Sequence, residues 1–80
     1  MAEDYLQRLL TIDRLARIKG TGTPKQLAQR LNISERSLYR LIDTMRSFGA
    51  PLDYCRSRGS YYYKEPGKFC IKFLTDPINE

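Results

Sequence analysis

The chain has 80 residues, enough for one small domain with a single core. Its 14 Lys and Arg against 9 Asp and Glu give a net charge of +5, which favours an anionic partner such as DNA, RNA or a lipid surface. No apolar run approaches the roughly 18 residues of a membrane span, and the N-terminus lacks the apolar segment of a signal peptide. We therefore expect a cytoplasmic protein with no membrane partner.

The composition offers little for catalysis or metal binding. The chain has no His and only two cysteines, Cys55 and Cys70, so it lacks the ligands for a zinc site and the pairs for a disulfide framework. No Gly-rich phosphate loop follows a strand. We therefore expect no enzyme activity, no metal and no cofactor. The two cysteines are interpreted as reduced thiols used as small apolar side chains, with a cross-strand redox pair as the alternative.

The first predicted element is a helix over residues 3–19. Its predicted apolar stripe consists of Tyr5, Leu9, Ile12 and Ala16 on one face, flanked by Leu6 and Leu15. Leu10 and Ile18 lie outside this stripe, so the helix has more apolar surface than one core contact needs. The surplus indicates either a helix packed deep in the domain or a dimer contact.

The segment from Thr23 to Gly49 is predicted to form two short helices joined by a tight turn. Thr23 is a good N-cap, Pro24 suits the first helical position, and Gln26 can complete a capping box. The core-facing side of the first of these helices consists of Leu27, Ala28 and Leu31.

Only Asn32 and Ile33 separate the two helices, and so short a turn makes them cross steeply. Asn32 tolerates a left-handed backbone, and Ile33 is predicted to reach into the core. Ser34 is the N-cap of the next helix, over about residues 34–48, which Gly49 ends. Its apolar stripe contains Leu38, Leu41, Ile42 and Met45. This pattern predicts a helix-turn-helix, whose second helix enters the DNA major groove.

The residues after Pro51 alternate as strands do. Residues 52–56 and 61–64 are predicted as two strands, with a turn at residues 57–60. Alternation places Tyr61 and Tyr63 on one face and Tyr62 on the other, and all three are interpreted as strand packing rather than base stacking. A β-hairpin directly after a helix-turn-helix is a wing.

Two further segments follow the predicted wing. Residues 69–73 alternate again and predict a third strand, which either extends the wing or returns to cover the core. Residues 75–80 are predicted to be a frayed tail, so the domain is expected to span residues 1–74.

The order of these elements resembles a winged helix-turn-helix, an α+β fold with a three-helix bundle followed by a hairpin wing. Residues 5–64 resemble the N-terminal DNA-binding domain of DeoR-type regulators, above all in SERSLYRLIDTMRSFGAPLDYCRSRGSYYY. That family has a Ser-Arg-Arg-Thr-Val-Tyr-Arg-Asp-like recognition helix, then Gly-x-Pro, then a wing containing Tyr. Leu41 stands where the family usually has Asp. The resemblance implies bacterial transcriptional regulation by operator binding, and we expect no small-molecule effector domain.

The outer face of the recognition helix supplies the candidate DNA contacts. Arg36 and Ser37 lie near its N-terminus, which reaches base edges in this motif, and the Arg fork matches guanine O6 and N7. Phosphate contacts are predicted for Tyr39 and Arg40, and for Thr23 or Lys25 at the start of the preceding helix. The remaining predicted contacts are Thr44 on the recognition helix and Arg56 and Arg58 beside the wing turn, over the backbone or minor groove.

Three functions remain open from the sequence. Sequence-specific binding of double-stranded DNA leads, with a homodimer formed through the first helix or the C-terminal strand. Pairing would help, because one domain of this size buries only about 600–1,000 Å² on DNA. A protein–protein adaptor without nucleic acid is the alternative, favoured by the apolar surplus of the first helix and the aromatic wing. RNA binding ranks third, because the usual aromatic sheet motifs are absent.

Overall fold

The computed structural model describes residues 5–70. Three helices precede a two-stranded antiparallel hairpin: α1 (Tyr5–Arg17), α2 (Pro24–Leu31), α3 (Glu35–Ser47), β1 (Leu52–Cys55) and β2 (Ser60–Tyr63). The predicted α+β winged-helix fold is therefore confirmed. No helix within the described range is long and apolar enough to cross a membrane.

A single core joins all five elements. It consists of Leu9, Ile12, Leu15, Ala16, Leu27, Ala28, Leu31, Leu38, Leu41, Ile42, Met45, Leu52 and Tyr61. Ile33 in the turn packs against this cluster, as predicted. Leu41 is 4% exposed, so its side chain belongs to the core.

The first turn of α1 differs from its predicted orientation. Tyr5 and Leu6 were expected in the core but are 55% and 42% exposed. Leu6 lies one turn before the exposed Leu10 and shares its side of the helix, because residues four apart are neighbours on a helix surface. The ring of Tyr5 lies at the surface, where its hydroxyl donates to Thr44 Oγ1 at 3.2 Å.

The helix-turn-helix unit has the caps that the sequence predicts. Thr23 Oγ1 accepts the backbone N–H of Gln26 at 3.2 Å, while Gln26 Oε1 accepts that of Thr23 at 2.9 Å, which completes the capping box. Asn32 is left-handed, with φ 61° and ψ 44°. Ser34 Oγ accepts the N–H of Ser37 at 3.1 Å and begins α3. Local side-chain chemistry thus fixes both helix starts and the turn between them.

The wing is a short hairpin with a four-residue turn. β1 ends at Cys55, one residue before its predicted end. β2, from Ser60 to Tyr63, begins and ends one residue earlier than predicted. The register pairs Tyr54 with Tyr61, whose rings pack edge to face at 5.1 Å between centroids. Tyr62 lies on the opposite face, where Lys19 Nζ is 5.9 Å from its ring centroid. The tyrosines therefore pack within the domain, as predicted.

The segment after the wing returns to the core without forming a strand in its described part. Phe69 and Cys70 are in irregular structure, and the rest of the predicted third strand and the tail lie outside the described residues. Phe69 packs against the core and against Phe48, with ring centroids 6.1 Å apart. Cys55 and Cys70 are free thiols, so the redox pair is not formed, and Cys70 is exposed rather than packed as a small apolar side chain.

Candidate nucleic-acid interface

One side of α3 is polar and exposed because the other side holds the core. The side chains of Arg36, Ser37, Tyr39 and Arg40 are exposed, as their spacing from the apolar stripe predicts. No ion pair within residues 5–70 engages Arg36 or Arg40. Both guanidinium groups are therefore available to an anionic ligand.

The two hydroxyl residues predicted on this face differ in availability. Ser37 Oγ accepts the Ser34 hydroxyl at 3.1 Å, so its own hydrogen remains available to a base or phosphate. Thr44 is half-buried, and its hydroxyl donates to the Arg40 carbonyl at 2.9 Å while accepting from Tyr5. The fold therefore already uses both hydrogen-bonding functions of Thr44.

The start of α2 lies beside the wing turn. Thr23 is half-buried within its capping box, and Lys25 is exposed one residue into α2. A Cβ added at Gly59 would lie 3.9 Å from Thr23 Cγ2, an ordinary van der Waals distance. Arg56 and Arg58 are exposed on this turn. The structure thus brings together two of the predicted backbone-contacting regions, which are far apart in the sequence.

A perturbed thiol lies at the end of β1, beside the wing turn. Cys55 Sγ lies 3.3 Å from Ser57 Oγ. This hydrogen bond, followed by one from the Arg58 backbone, lowers the pKa of the Cys55 thiol, and the positive charge of Arg58 acts in the same direction.

Two buried hydroxyls that sequence reasoning missed hold the wing in place. Thr21, in the loop before α2, and Ser60, at the start of β2, are each 2% exposed. The Thr21 N–H donates to Ser60 Oγ at 3.0 Å, and the Tyr61 N–H donates to Thr21 Oγ1 at 2.8 Å. Both hydroxyls lie where the sequence predicts solvent-exposed loops, so no local pattern distinguishes them from ordinary turn residues.

A buried carboxylate holds the other end of β2. Asp13 is 3% exposed, and its Oδ1 accepts both the Tyr63 hydroxyl and the Phe69 N–H at 2.6 Å. Its Oδ2 accepts Arg17 Nε at 3.1 Å. The sequence did contain a signal, because an Asp directly after Ile12 in the core stripe must find partners if it is buried.

Comparison with known proteins gives one match. The family model described as "HTH domain" matches residues 6–63, from the first turn of α1 to the last residue of β2. No curated protein and no solved structure matches the chain.

Proposed function

We propose that this chain, which belongs to the HTH domain family, binds double-stranded DNA in a sequence-specific manner and regulates transcription. The observation that carries the proposal is the outer face of α3, where Arg36, Ser37, Tyr39 and Arg40 are exposed opposite a fully buried stripe. In this arrangement α3 enters the major groove. Arg36 and Ser37, in its first turn, meet the base edges.

The flanking elements supply the backbone contacts in this proposal. Tyr39 and Arg40 reach phosphates from α3, whereas Thr44 is left out of the proposed contacts because its hydroxyl is already bonded within the fold. Thr23 or Lys25 contacts a phosphate from the start of α2, and Arg56 and Arg58 place the wing on the backbone or in the minor groove. The proximity of the wing turn to Thr23 supports one continuous backbone-contacting surface.

We further propose the setting that the DeoR-type resemblance supports: a small bacterial regulator in the cytoplasm that binds an inverted repeat as a homodimer. Leu6 and Leu10 share one side of α1 and are 42% and 41% exposed, which supports α1 as the pairing surface. The segment after the wing is the alternative pairing surface. A second copy would double the DNA contacts available to a domain of this size.

Selection of bound duplexes from a random pool tests DNA binding directly. A palindromic consensus, bound by a dimer of measured mass, is the expected result. Arg36→Ala should then cost about 1–3 kcal/mol and relax the preference at one base pair. Arg14→Ala is the matched control, because it removes the same charge from an exposed position on α1.

The proposal fails if no duplex is enriched at low salt. It also fails in its assignment of α3 if Arg36→Ala and Arg14→Ala weaken binding equally, since both would then act only through net charge. Equal affinity for every duplex would leave DNA binding but remove sequence specificity.

A protein–protein adaptor is the second candidate, favoured by the same exposed apolar residues of α1. In that role Leu10→Glu would abolish the complex, whereas Arg36→Ala would leave it intact. The DNA-binding role predicts instead that Arg36→Ala weakens binding of the monomer to a half-site duplex, whereas Leu10→Glu does not. Fluorescence anisotropy measures both affinities.

A further inference from the structure

The junction between the wing and the loop before α2 is a closed set of hydrogen bonds. Thr21 Oγ1 and Ser60 Oγ lie 3.1 Å apart, and each accepts a backbone N–H from the opposite segment. The two hydroxyls also have backbone acceptors, the carbonyl of Gly22 for Thr21 and that of Tyr61 for Ser60, both at 2.8 Å. Every polar atom of both side chains is thus used at a buried position.

This junction lies next to two candidate DNA-contacting regions. Thr21 is two residues before Thr23, the N-cap of α2, and Ser60 directly follows the wing turn that carries Arg58. A two-stranded hairpin is only marginally stable by itself, so the wing needs such anchors to hold one position. The hydroxyl pair therefore ties the start of β2 to the loop before α2.

We propose that Thr21 and Ser60 are positioning residues for DNA binding, although neither side chain is exposed to touch DNA. They hold Arg58 at a fixed separation from Lys25, so that both side chains meet the phosphate backbone without a further ordering cost on binding. This inference rests on the proposed function, because it assigns a role within the same DNA interface.

A double-mutant cycle between the junction and the wing tests the inference. Thr21→Val keeps the side-chain shape but removes the oxygen that accepts the Tyr61 N–H. In the wild type, Arg58→Ala should weaken binding to the selected duplex several-fold and lower the magnitude of the salt slope by about one. In the Thr21→Val background, Arg58→Ala should lower the affinity further by less than about twofold, because the wing is no longer held in position beside α2.

Two controls separate positioning from lost stability. Thr21→Ser retains the hydroxyl and should restore the full effect of Arg58→Ala. Ile12→Val destabilises the core of α1 without touching the junction, so Arg58→Ala should keep its full effect in that background. If Thr21→Val does not fold by circular dichroism, Ser60→Ala takes its place in the same cycle.

The outcomes distinguish this inference from the function on which it rests. If the wild type binds a duplex and Arg58→Ala has the same effect in every background, the positioning role is overturned and DNA binding stands. If Arg58→Ala has no effect in the wild type, the wing contact and its positioning both fail. If the wild type binds no duplex, the proposed function itself fails.

Discussion

The half-buried Tyr63 and the buried Asp13 show how a single side-chain pair secures β2 to α1. The phenolic hydroxyl donates to a carboxylate that also accepts a backbone N–H and pairs with Arg17. Hydrogen bonds to charged groups contribute more than neutral ones, at about 1.5–3 kcal/mol each. This residue pair therefore contributes a substantial part of the stability expected for so small a domain.

Tyr63→Phe should lower the free energy of unfolding by about 2 kcal/mol, because it removes the hydroxyl and keeps the ring. Urea denaturation gives this value directly. Tyr62→Phe is the control on the opposite face of the hairpin and should change stability by less than about 0.5 kcal/mol. Equal effects of the two substitutions would show that the Asp13 bond contributes nothing specific.

Tyr61 and Tyr63 also predict how stability changes at alkaline pH. Burial raises the pKa of Tyr61 from 10 to about 12, and burial together with the Asp13 hydrogen bond raises the pKa of Tyr63. The unfolded chain therefore loses these protons at lower pH than the folded chain. Their stabilisation is fully present below about pH 10 and is lost as the pH rises towards the folded-state pKa values.

Tyr61→Phe should make the free energy of unfolding less dependent on pH between about pH 10 and 12, because one linked proton is removed. The maximal difference in slope is about 1.4 kcal/mol per pH unit. Urea titrations at several pH values measure it. An unchanged slope would mean that Tyr61 ionises equally in both states.

At the scale of elements, the start of α2 depends on a glycine. Gly22 has φ +82°, and a Cβ there would lie 2.8 Å from Gln26 Oε1, the acceptor in the capping box. Gly49, after α3, has φ +98° with nothing within 4 Å of an added Cβ. A side chain would strain the backbone at both positions, but only at Gly22 would it also displace Gln26.

Gly49→Ala should therefore cost about 1–2 kcal/mol from left-handed strain alone. Gly22→Ala should cost about 1 kcal/mol more, because Gln26 must move and leave the Thr23 N–H without its acceptor. Thermal or urea denaturation compares the two. If both cost the same in a Gln26→Ala background but differ in the wild type, the capping box accounts for the difference.

The sequence predicted the elements well where the determining chemistry is local. Thr23, Asn32 and Ser34 each act within a few residues, so caps and turn could be read directly from the sequence. The wing boundaries shifted by one residue because strand ends depend on the partner strand. Tyr5 and Leu6 were misplaced because periodicity gives the side of a helix but not where the rest of the domain stops covering it.

The candidate site could be predicted only where it depends on residues close in sequence. The exposure of Arg36 and Arg40 follows from the stripe of α3, whereas Thr21 and Ser60 meet across 39 residues. Asp13 and Tyr63 meet across 50. Such pairings depend on how the hairpin docks on the helices, and no spacing rule encodes that.

At the scale of the whole molecule, the excess positive charge should control affinity for DNA. Under the proposed function, up to four basic side chains of one chain contact phosphates, namely Lys25, Arg40, Arg56 and Arg58. Each phosphate contact releases condensed counterions, so the logarithm of the binding constant should fall with the logarithm of salt at a slope of about −3 to −4 per protomer.

Raising salt from about 50 to 200 mM should then weaken binding to a half-site about 100-fold. Fluorescence anisotropy on the selected duplex measures this, and Arg40→Ala should reduce the magnitude of the slope by about one. A flat salt dependence would contradict the phosphate assignments and favour the protein-partner role.

The hydroxyl pair between Thr21 and Ser60 also bears on the order of folding. The helix-turn-helix is held by contacts close in sequence, whereas this pair joins residues 39 positions apart and has a larger loop-closure cost. We expect its bonds to be absent from the folding transition state, with a φ-value near zero. Thr21→Val should then accelerate unfolding and leave the refolding rate unchanged in a chevron plot, so the wing would be the last part to dock and the first to detach.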